Sequence, residues 1–230
     1  MRVASYNIHR AVGTDRQRDV ARILAVLGEL QADIMGLQEV DWHDEPGGHH
    51  AQFEYLAGLP GYEAVVGPNL RDHRGHYGNL LLTRFPVRAV RHHNLSFAGR
   101  EPRGAVDVDL AVGNDDLRVI VTHLGLCAGE RWRQARQLRR LLQQPPDRPT
   151  VLLGDLNDWL PGNPSVRPLL AHCAPCRHPR TFPSRRPLLA LDRILTRALR
   201  AAGPPAAHRS AMARVASDHL PVVADLYLPD

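Results

Sequence analysis

Five short apolar segments of the 230-residue chain end in side chains that can ligate a metal ion or transfer a proton. These side chains are Asn7, Glu39, His123, the pair Asp155 and Asn157, and the pair Asp218 and His219. Together they supply three carboxylates, two carboxamides and two imidazoles. This set suits a hard cation such as Mg²⁺ or Mn²⁺, with acid and base groups arranged around a phosphate. Because the ends of neighbouring strands meet at one edge of a sheet, we expect these side chains to converge in space.

Each of these residues, taken alone, has an ordinary structural explanation. Asp and Asn commonly cap helices and turns, and a lone histidine often makes only a structural hydrogen bond. No single residue therefore predicts a functional site; the prediction rests on the repeated placement of such residues at strand ends.

Apolar periodicity predicts the elements that would position these residues. Short or alternating apolar runs predict strands at residues 3–8, 33–40, 77–83, 87–95, 105–112, 117–124, 150–153, 188–195 and 220–228. Apolar residues at three- and four-residue steps predict amphipathic helices at 16–30 and 129–142, and a short helix is predicted at 52–59. The four mid-chain strands, separated by turn residues, predict an antiparallel run. With no internal repeat and no linker, residues 1–230 are predicted to form a single α/β domain.

The composition excludes several classes of enzyme. The chain has 29 basic and 24 acidic residues, and because it contains no lysine, every basic residue is an arginine. A Walker-type phosphate loop and a Schiff-base mechanism both need a lysine, so neither is available. The sequence also lacks the G-x-S-x-G and G-x-G-x-x-G motifs. Arginine binds phosphate and carboxylate groups through paired donors, so the net charge of +5 is compatible with a phosphate-bearing substrate.

The chain is expected to be a soluble, cytoplasmic protein. Residues 1–7 lack the apolar stretch of a signal peptide, and no run approaches the roughly 18 apolar residues of a membrane span. Three cysteines are too few for a disulfide framework in a chain of this size. Cys173 and Cys176, flanked by His172 and His178, could bind zinc, but a coincidental loop is favoured because a second ligand pair at regular spacing is lacking.

Seven segments in this order resemble the endonuclease/exonuclease/phosphatase superfamily over essentially the whole chain. They are residues 5–9 (SYNIH), 37–40 (LQEV), 78–86 (GNLLLTRFP), 122–124 (THL), 154–158 (GDLND), 191–194 (LDRI) and 217–221 (SDHLP). The resemblance implies a four-layer α/β/β/α sandwich of the DNase I-like type, and metal-dependent cleavage of a phosphoester.

The resemblance also implies roles for individual residues. Glu39 would be the principal ligand of Mg²⁺ or Mn²⁺, with Asn7 beside it and Asp218 as a further ligand. Asp155 would orient or deprotonate the attacking water, and Asn157 would hold the phosphate or the nucleophile.

Further roles follow for residues near the phosphate. His219 would contact the scissile phosphate, with Asp192 fixing its tautomer and charge. His123 would lie on the leaving-group side. Asn79 matches a position near the phosphate, and Arg103, in preference to Arg100, would stabilise charge in the transition state.

Asp15 follows the first predicted strand, and its role stays open at this point. Some relatives place an additional metal-binding carboxylate there, and the alternative is a cap for the helix that begins at Arg16.

The substrate is predicted to be a non-nucleic phosphodiester, of lipid or small-molecule type. DNA-acting members usually offer aromatic or basic loops, whereas this chain is only 5% aromatic and its nearest candidates are His49-His50 and residues 71–76. A Mg²⁺-dependent nuclease acting on DNA is the alternative, and a catalytically silent binding domain of the same fold is the second. The sequence leaves the oligomeric state open.

Overall fold

The computed structural model describes residues 1–43, 51–72, 75–145, 148–160 and 162–229, and within them the strands form two β-sheets. The first sheet contains β1 (Arg2–Asn7), β2 (Ile34–His43), β3 (Glu63–Asp72), β4 (Gly75–Thr83), β10 (Arg200–Ala201), β11 (Ala206–Ala207) and β12 (Val222–Tyr227). Its order is β10-β12-β1-β2-β4-β3, with β11 also paired to β12. The second sheet contains, in this order, β5 (Val87–Asn94), β6 (Gly104–Val112), β7 (Asp115–His123), β8 (Thr150–Asp155) and β9 (Asp192–Arg197).

Helices cover the outer face of each sheet. Three helices pack on the first sheet: α1 (Val20–Leu30), α2 (Ala51–Ala57) and α5 (Ala213–Ala216). Two pack on the second: α3 (Ala128–Leu142) and α4 (Arg167–Leu170). Apolar side chains of both sheets, such as Val3 and Ile34 on one side and Val121 and Leu153 on the other, form the core between them. The predicted four-layer α/β/β/α sandwich is confirmed.

None of the helices in the described part of the chain combines the length and the apolar character needed to cross a membrane.

Two pairs of parallel strands determine where the polar strand ends meet. β1 pairs with β2 in parallel after the crossover through α1, and β7 pairs with β8 in parallel after the crossover through α3. The antiparallel run predicted in mid-chain is confirmed for three of its four strands, since β5 pairs with β6 and β6 with β7; β4 instead belongs to the first sheet, where it pairs antiparallel with β2 and β3. Since the two parallel pairs end on the same side of the sandwich, the two sheets deliver their polar residues to a common edge.

Two predicted boundaries are wrong. The helix predicted from residue 16 begins at Val20, because Arg16 has a left-handed φ of 64° and the Asp19 carboxylate caps the helix by accepting from Ala21 N at 2.9 Å. The proposed cap at Asp15 is therefore wrong; its carboxylate accepts from Gln17 N and pairs with Arg22. The strand predicted at 188–195 begins only at Asp192, because Leu189 pairs with Phe182 in an isolated bridge outside the sheet.

A buried carboxylate ties together three strands of the second sheet. The Asp107 side chain on β6 is fully buried and accepts hydrogen bonds from Arg118 at 2.6 and 2.9 Å. Arg91 also donates to it at 2.9 Å, and His93 Nε2 lies 2.9 Å away. Burial opposes ionisation of Asp107, but the hydrogen bonds from Arg118, Arg91 and His93 outweigh it and hold its pKa well below the ordinary range.

Replacing Asp107 by Asn should lower the free energy of unfolding by about 3–5 kcal/mol at pH 7, because Arg118 would remain buried without its counter-ion. The folded-state pKa of Asp107 is depressed, so its contribution is present above about pH 4 and is lost as the pH falls below that value. Urea unfolding should therefore show the difference between wild type and variant shrinking toward about pH 3.

Asp116→Asn is the matched control for this experiment. It breaks the exposed ion pair with Arg88 and should cost less than about 1 kcal/mol. Equal costs at the two positions would contradict a special role for the buried pair.

Candidate active site

Three polar residues form one row across the end of the second sheet. His123 on β7 pairs with Asp155 on β8, and Asp155 pairs with Asp192 on β9. All three are buried. The sheet register thus places side by side three residues that are far apart in the chain.

The first sheet contributes Asn7 and Glu39, and Glu39 is placed by a β-bulge. Leu37 pairs with Leu80 and Val40 pairs with Gly78, so that Gln38 and Glu39 together lie opposite Asn79. Glu39 has a φ of +57°, which is unusual for a residue with a side chain. The bulge turns the Glu39 carboxylate out of the regular alternation of the strand.

The Asn7 amide joins the two sheets. Its Nδ2 donates to Glu39 Oε1 at 3.0 Å and to Asp155 Oδ2 at 3.1 Å. Its Oδ1 accepts from His9 N at 3.0 Å, which fixes the orientation of the amide. Two carboxylates from different sheets therefore converge on one side chain that is fully buried.

Asp155 is held by donors on both carboxylate oxygens. Asn157 N donates to Oδ1 at 2.9 Å, and Oδ2 accepts from Asn7. Burial, together with the charge of Asp192, raises the pKa of Asp155 to about 6, and His219 and the hydrogen bonds only partly oppose this shift. A carboxylate with this pKa can take up a proton near neutral pH.

His219 and Asp192 form a hydrogen-bonded dyad. His219 Nδ1 lies 2.8 Å from Asp192 Oδ2, which also accepts from Thr181 Oγ1 at 2.5 Å. The other ring nitrogen, Nε2, lies 3.8 Å from Asp155 Oδ2. Burial opposes protonation of His219, but the charge and hydrogen bond of Asp192, with the charges of Asp155 and Asp218, outweigh it and raise its pKa to about 10. The ring is therefore an imidazolium at neutral pH.

His123 has the opposite electrostatic character. Burial and the charges of Arg103 and His219 hold its pKa well below the ordinary value, so the ring is neutral. Asn157 Nδ2 lies 3.0 Å from His123 Nε2 and also donates to Leu124 O at 3.0 Å. Arg103 Nη1 lies 3.3 Å from His123 Nδ1. Arg103 beside Nδ1 and Asn157 beside Nε2 both oppose a second proton on the ring, and Asp155 Oδ2, 3.5 Å from Nε2, is an acceptor within reach of the one proton that the neutral ring carries.

These groups surround a cavity of about 690 Å³. Its polar lining includes Glu39, Arg103, His123, Asp155, Asn157 and His219, and its apolar and aromatic lining includes Tyr77, Leu126, Trp159, Phe182, Leu189 and Leu191. Asn7 and Asp192 lie behind this lining and contact it through the hydrogen bonds described above.

Two further sequence-predicted residues, Asp218 and Asn79, do not line the cavity. Asp218 does not line the cavity; its Oδ1 lies 3.6 Å from Nδ1 of His9, which does. Asn79 is buried beside the bulge and donates to Gly104 O at 3.2 Å. Of the two candidate arginines, Arg103 is buried and lines the cavity, whereas Arg100 is exposed.

A metal ion could in principle be held by Asp155, Asp192 and His219, whose ligand atoms lie within 4.8 Å of one another. In the metal-free protein Asp192 Oδ2 is already engaged by His219 Nδ1 at 2.8 Å and by Thr181 Oγ1 at 2.5 Å. In the described residues no such group includes Cys173 or Cys176; Cys176 Sγ lies 3.4 Å from His178 Nε2 and 3.9 Å from Ile194 O.

Sequence reasoning missed several contributors to the site. Thr181, which hydrogen-bonds Asp192, lies in a proline-rich loop where a single threonine carries no signal. Ser217 donates to Asn7 O at 2.8 Å and accepts from His219 N, so it fixes the backbone of both strand ends. Phe182 packs against the His219 ring with centroids 4.9 Å apart. Ser217 is the first residue of the SDHLP motif, and its place in that motif is the one signal that could have found any of them.

Comparison with known proteins identifies a family and a relative that match nearly the whole chain. The model of the Endonuclease/Exonuclease/phosphatase family matches residues 4–219. The uncharacterized protein YbhP of Escherichia coli K12 is 30% identical over an alignment of 246 positions, which covers 99% of this chain and 96% of YbhP.

Two solved structures show the fold shared with this chain. The mannosyl-6-phosphatase Bt3783 of Bacteroides thetaiotaomicron has a TM-score of 0.80 at 18% identity, covering 99% of this chain and 100% of its own. The D. rerio TDP2 complexed with a single-strand DNA product has a TM-score of 0.75 at 17% identity, covering 99% of this chain and 98% of its own.

The His219–Asp192 hydrogen bond makes a testable prediction for the metal-free protein. His219 should stay protonated through neutral pH and lose its proton only near pH 10, and in Asp192→Asn the pKa should fall toward the ordinary value of about 6.5. NMR titration of the histidine ring resonances, assigned with His219→Gln, measures this shift. The ring chemical shifts of His208, which pairs with Glu29 on the surface, should be left unchanged by Asp192→Asn. A wild-type midpoint near 6.5 that Asp192→Asn leaves unchanged would rule out the dyad.

Proposed function

The chain belongs to the endonuclease/exonuclease/phosphatase family, whose members are hydrolases of phosphoester bonds, and we propose that it is a metal-dependent phosphodiesterase. Its proposed substrate is a lipid or small-molecule diester. The observation that carries the proposal is the pairing, within one cavity, of a carboxylate with a raised pKa and an imidazolium: Asp155 Oδ2 and His219 Nε2 lie 3.8 Å apart.

Asp155 is the proposed base. The oxygen of a water molecule attacks phosphorus, the bond from phosphorus to the leaving oxygen breaks, and the proton of the water passes to Asp155 Oδ2. The pKa of about 6 lets this carboxylate be ionised at neutral pH and still be basic enough to accept the proton. Asn157 N and Asn7 Nδ2 keep the carboxylate in one orientation.

His219 is proposed to bind the scissile phosphate through Nε2–H. Its positive charge would stabilise the charge that develops on the phosphate oxygens in the transition state. Asp192 acts as a positioning residue, since it holds Nδ1 and keeps the ring protonated, and Thr181 in turn orients Asp192.

His123, Asn157 and Arg103 are proposed to serve the leaving-group side. A neutral His123 that accepts from Arg103 at Nδ1 carries its proton on Nε2, which could donate it in a hydrogen bond to the leaving oxygen; Asn157 Nδ2 lies 3.0 Å from this nitrogen. The Arg103 guanidinium is buried, and its carboxylate partner Glu101 is half exposed, so part of its charge is available to the phosphate. Asn79 lies one layer further back and would hold the strand that carries Arg103 through its bond to Gly104 O.

The donor set at the end of the first sheet fits a hard divalent cation. Glu39 and Asp155 bring two carboxylates to within 3.0 and 3.1 Å of the Asn7 amide nitrogen, and such a concentration of negative charge suits Mg²⁺ or Mn²⁺. Glu39 and Asn7 would hold the ion, with Asp218 as the proposed further ligand. A cation bound there would withdraw charge from the phosphate oxygens.

The mouth of the cavity supports an amphiphilic or small substrate. Leu126 and Trp159 line it with 63% and 45% of their surface exposed, and Phe182, Leu189 and Leu191 continue the apolar lining inward. Exposed apolar side chains beside a phosphate site suit a diester that carries an apolar group. The exposed apolar lining and the scarcity of aromatic residues in the sequence thus both favour a non-nucleic diester as the substrate.

DNA is the second candidate substrate, because a base could stack on the exposed part of Trp159, whose ring also has the Arg131 guanidinium over it at 4.8 Å. The other aromatic rings of the cavity are less available: Arg10 lies over the Tyr77 ring at 4.8 Å, and Phe182 packs on His219. His49, His50 and residues 73–74 lie outside the described residues. One exposed ring is less than a nucleic-acid channel usually presents.

The proposed cation site predicts the effect of Glu39→Gln. This substitution keeps the shape of the side chain and removes one charge, so the Mg²⁺ concentration for half-maximal hydrolysis of bis-p-nitrophenyl phosphate should rise at least about tenfold, or ~1.4 kcal/mol. Glu54→Gln, on an exposed face of α2, is the matched control. Undiminished turnover of wild type in excess chelator would refute the metal requirement.

The substrate proposal is tested by comparing kcat/KM values at one near-physiological salt concentration. Bis-p-nitrophenyl phosphate, a phospholipid, an inositol phosphate, plasmid DNA and abasic-site DNA would be offered with Mg²⁺ or Mn²⁺. We expect a non-nucleic diester to be cleaved best, and we expect Asp155→Asn to lower its turnover by about 10²–10⁴-fold. Matched salt is needed because arginine contacts to phosphate give salt-sensitive DNA binding without specificity.

Two results would overturn this assignment. Efficient metal-dependent nicking of DNA without turnover of the lipid or the inositol phosphate would make the protein a nuclease. No turnover of any substrate at any metal concentration would favour the catalytically silent binding domain.

A further inference from the structure

A second cavity, of about 570 Å³, adjoins the catalytic cavity at Trp159, which lines both. Its charged lining among the described residues consists of Arg177, Arg180 and Arg193 against a single carboxylate, Asp158. His178 also lines it, and burial together with the charge of Arg193 lowers the pKa of this histidine to about 4, so its ring is neutral. The cavity is therefore basic.

Arg193 is a buried cation without a counter-ion. Its side chain belongs to a residue that is only 4% exposed, and among the described residues it makes no ion pair with a carboxylate. Nη2 donates to Asn163 Oδ1 at 2.5 Å and to the carbonyl oxygens of Asp158 and Ala190 at 3.2 and 3.3 Å. Within the same part of the chain, its buried Nε has no hydrogen-bond partner. An unpaired buried charge is costly, so the site favours an anion.

Asp158, the one carboxylate that lines this cavity among the described residues, accepts hydrogen bonds from backbone N–H groups. Asp158 Oδ2 accepts from Ser165 N at 3.1 Å and from Val166 N at 3.2 Å, and Oδ1 accepts from Leu160 N at 3.4 Å. Burial lowers the pKa of Arg193 in spite of the attraction of Asp158, Cys176 and Asp192. Asp158 thus leaves much of the Arg193 charge uncompensated, in contrast to Asp107, which meets Arg118 directly.

Two exposed arginines extend this charge toward solvent. Arg177 and Arg180 are exposed residues of the segment between α4 and β9, and neither makes an ion pair with a described residue. Their long side chains can close over an anion bound against Arg193. Guanidinium groups bind phosphate oxygens through paired donors, which gives both charge and geometry for this ligand.

Strand β9 links the two cavities. Asp192 and Arg193 are consecutive residues of an extended strand, so their side chains point to opposite faces. Asp192 holds His219 at the catalytic cavity, whereas Arg193 lines the second cavity. An anion at Arg193 would therefore lie on the opposite face of β9 from Asp192, in a cavity that shares Trp159 with the catalytic cavity.

We propose that the second cavity binds a phosphomonoester group carried by the substrate itself, so that the preferred substrate is a phosphodiester with an additional phosphate. This inference rests on the proposed phosphodiesterase function. A free phosphate ion offers the same chemistry from another source, and the experiment distinguishes the two.

The binding test uses inorganic phosphate and metal-free protein in calorimetric titrations. Wild type should bind two phosphate ions, one at His219 and one at Arg193, and the double variant Arg177→Gln/Arg180→Gln should bind only one or bind the second at least tenfold more weakly. Arg193→Gln should have the same effect, and the exposed double variant keeps the test valid if this buried substitution prevents folding. Arg167→Gln, an exposed arginine on α4 that does not line the cavity, is the control and should behave as wild type. Unchanged phosphate binding in the double variant would overturn the proposal.

The kinetic test separates the two sources of phosphate. The substrates are bis-p-nitrophenyl phosphate and a p-nitrophenyl diester whose second alcohol carries a phosphomonoester. Wild type should prefer the phosphorylated diester, and the double variant should lose at least about tenfold of this preference in kcat/KM through a higher KM. Loss of phosphate binding without loss of preference would mean that the cavity takes a free ion, which overturns the substrate assignment. If wild type hydrolyses neither compound, the proposed function fails, while the calorimetric result still decides whether the anion site exists.

Discussion

The fully buried carboxylate of Asp155 is the constraint around which the two sheets are arranged. A carboxylate removed from water needs donors and opposite charges at fixed positions, and no single element of this fold supplies enough of them. Asn7 reaches it from the first sheet, Asn157 from the turn that follows β8, and His219 from the segment before β12. The partners that the Asp155 carboxylate needs thus come from both ends of the chain, which meet at the same edge of the sandwich.

The donors and positive charges around Asp155 offset its burial only in part, and the raised pKa that results is what suits this carboxylate to proton transfer. Asp107 shows the other extreme: two arginines and a histidine surround it, its pKa is depressed, and it serves the packing of the second sheet. Asp155 receives amide donors and a single imidazolium, and its pKa is raised. Two buried carboxylates of one sheet, on β6 and β8, are therefore suited to different tasks by the charge of their partners.

The structure brings together predicted residues that a strand end delivers, because strand periodicity and the meeting of parallel strand ends can be read from the sequence. His123 and Asp155, at the ends of the parallel strands β7 and β8, follow from such rules, whereas Asp192, at the start of the antiparallel strand β9, came only from the resemblance. Contacts made by irregular segments were out of reach. Thr181 finds Asp192 only because a proline-rich loop folds back over β9, and the left-handed φ of Arg16 moved the helix cap from Asp15 to Asp19. Neither the course of this loop nor the left-handed conformation of Arg16 can be predicted from the periodicity of apolar residues.

The bulge in β2 has a consequence for how this region can change in evolution. Because two residues, Gln38 and Glu39, occupy the space opposite one residue of β4, the aim of the Glu39 carboxylate depends on the number of residues in the strand as much as on their identity. Loss of one residue there would restore regular pairing and turn the following side chains to the other face. Substitutions along β2 and β4 can thus be tolerated. Insertions and deletions between Leu37 and Val40 would misplace the Glu39 carboxylate, and we expect them to be selected against as long as this carboxylate is needed.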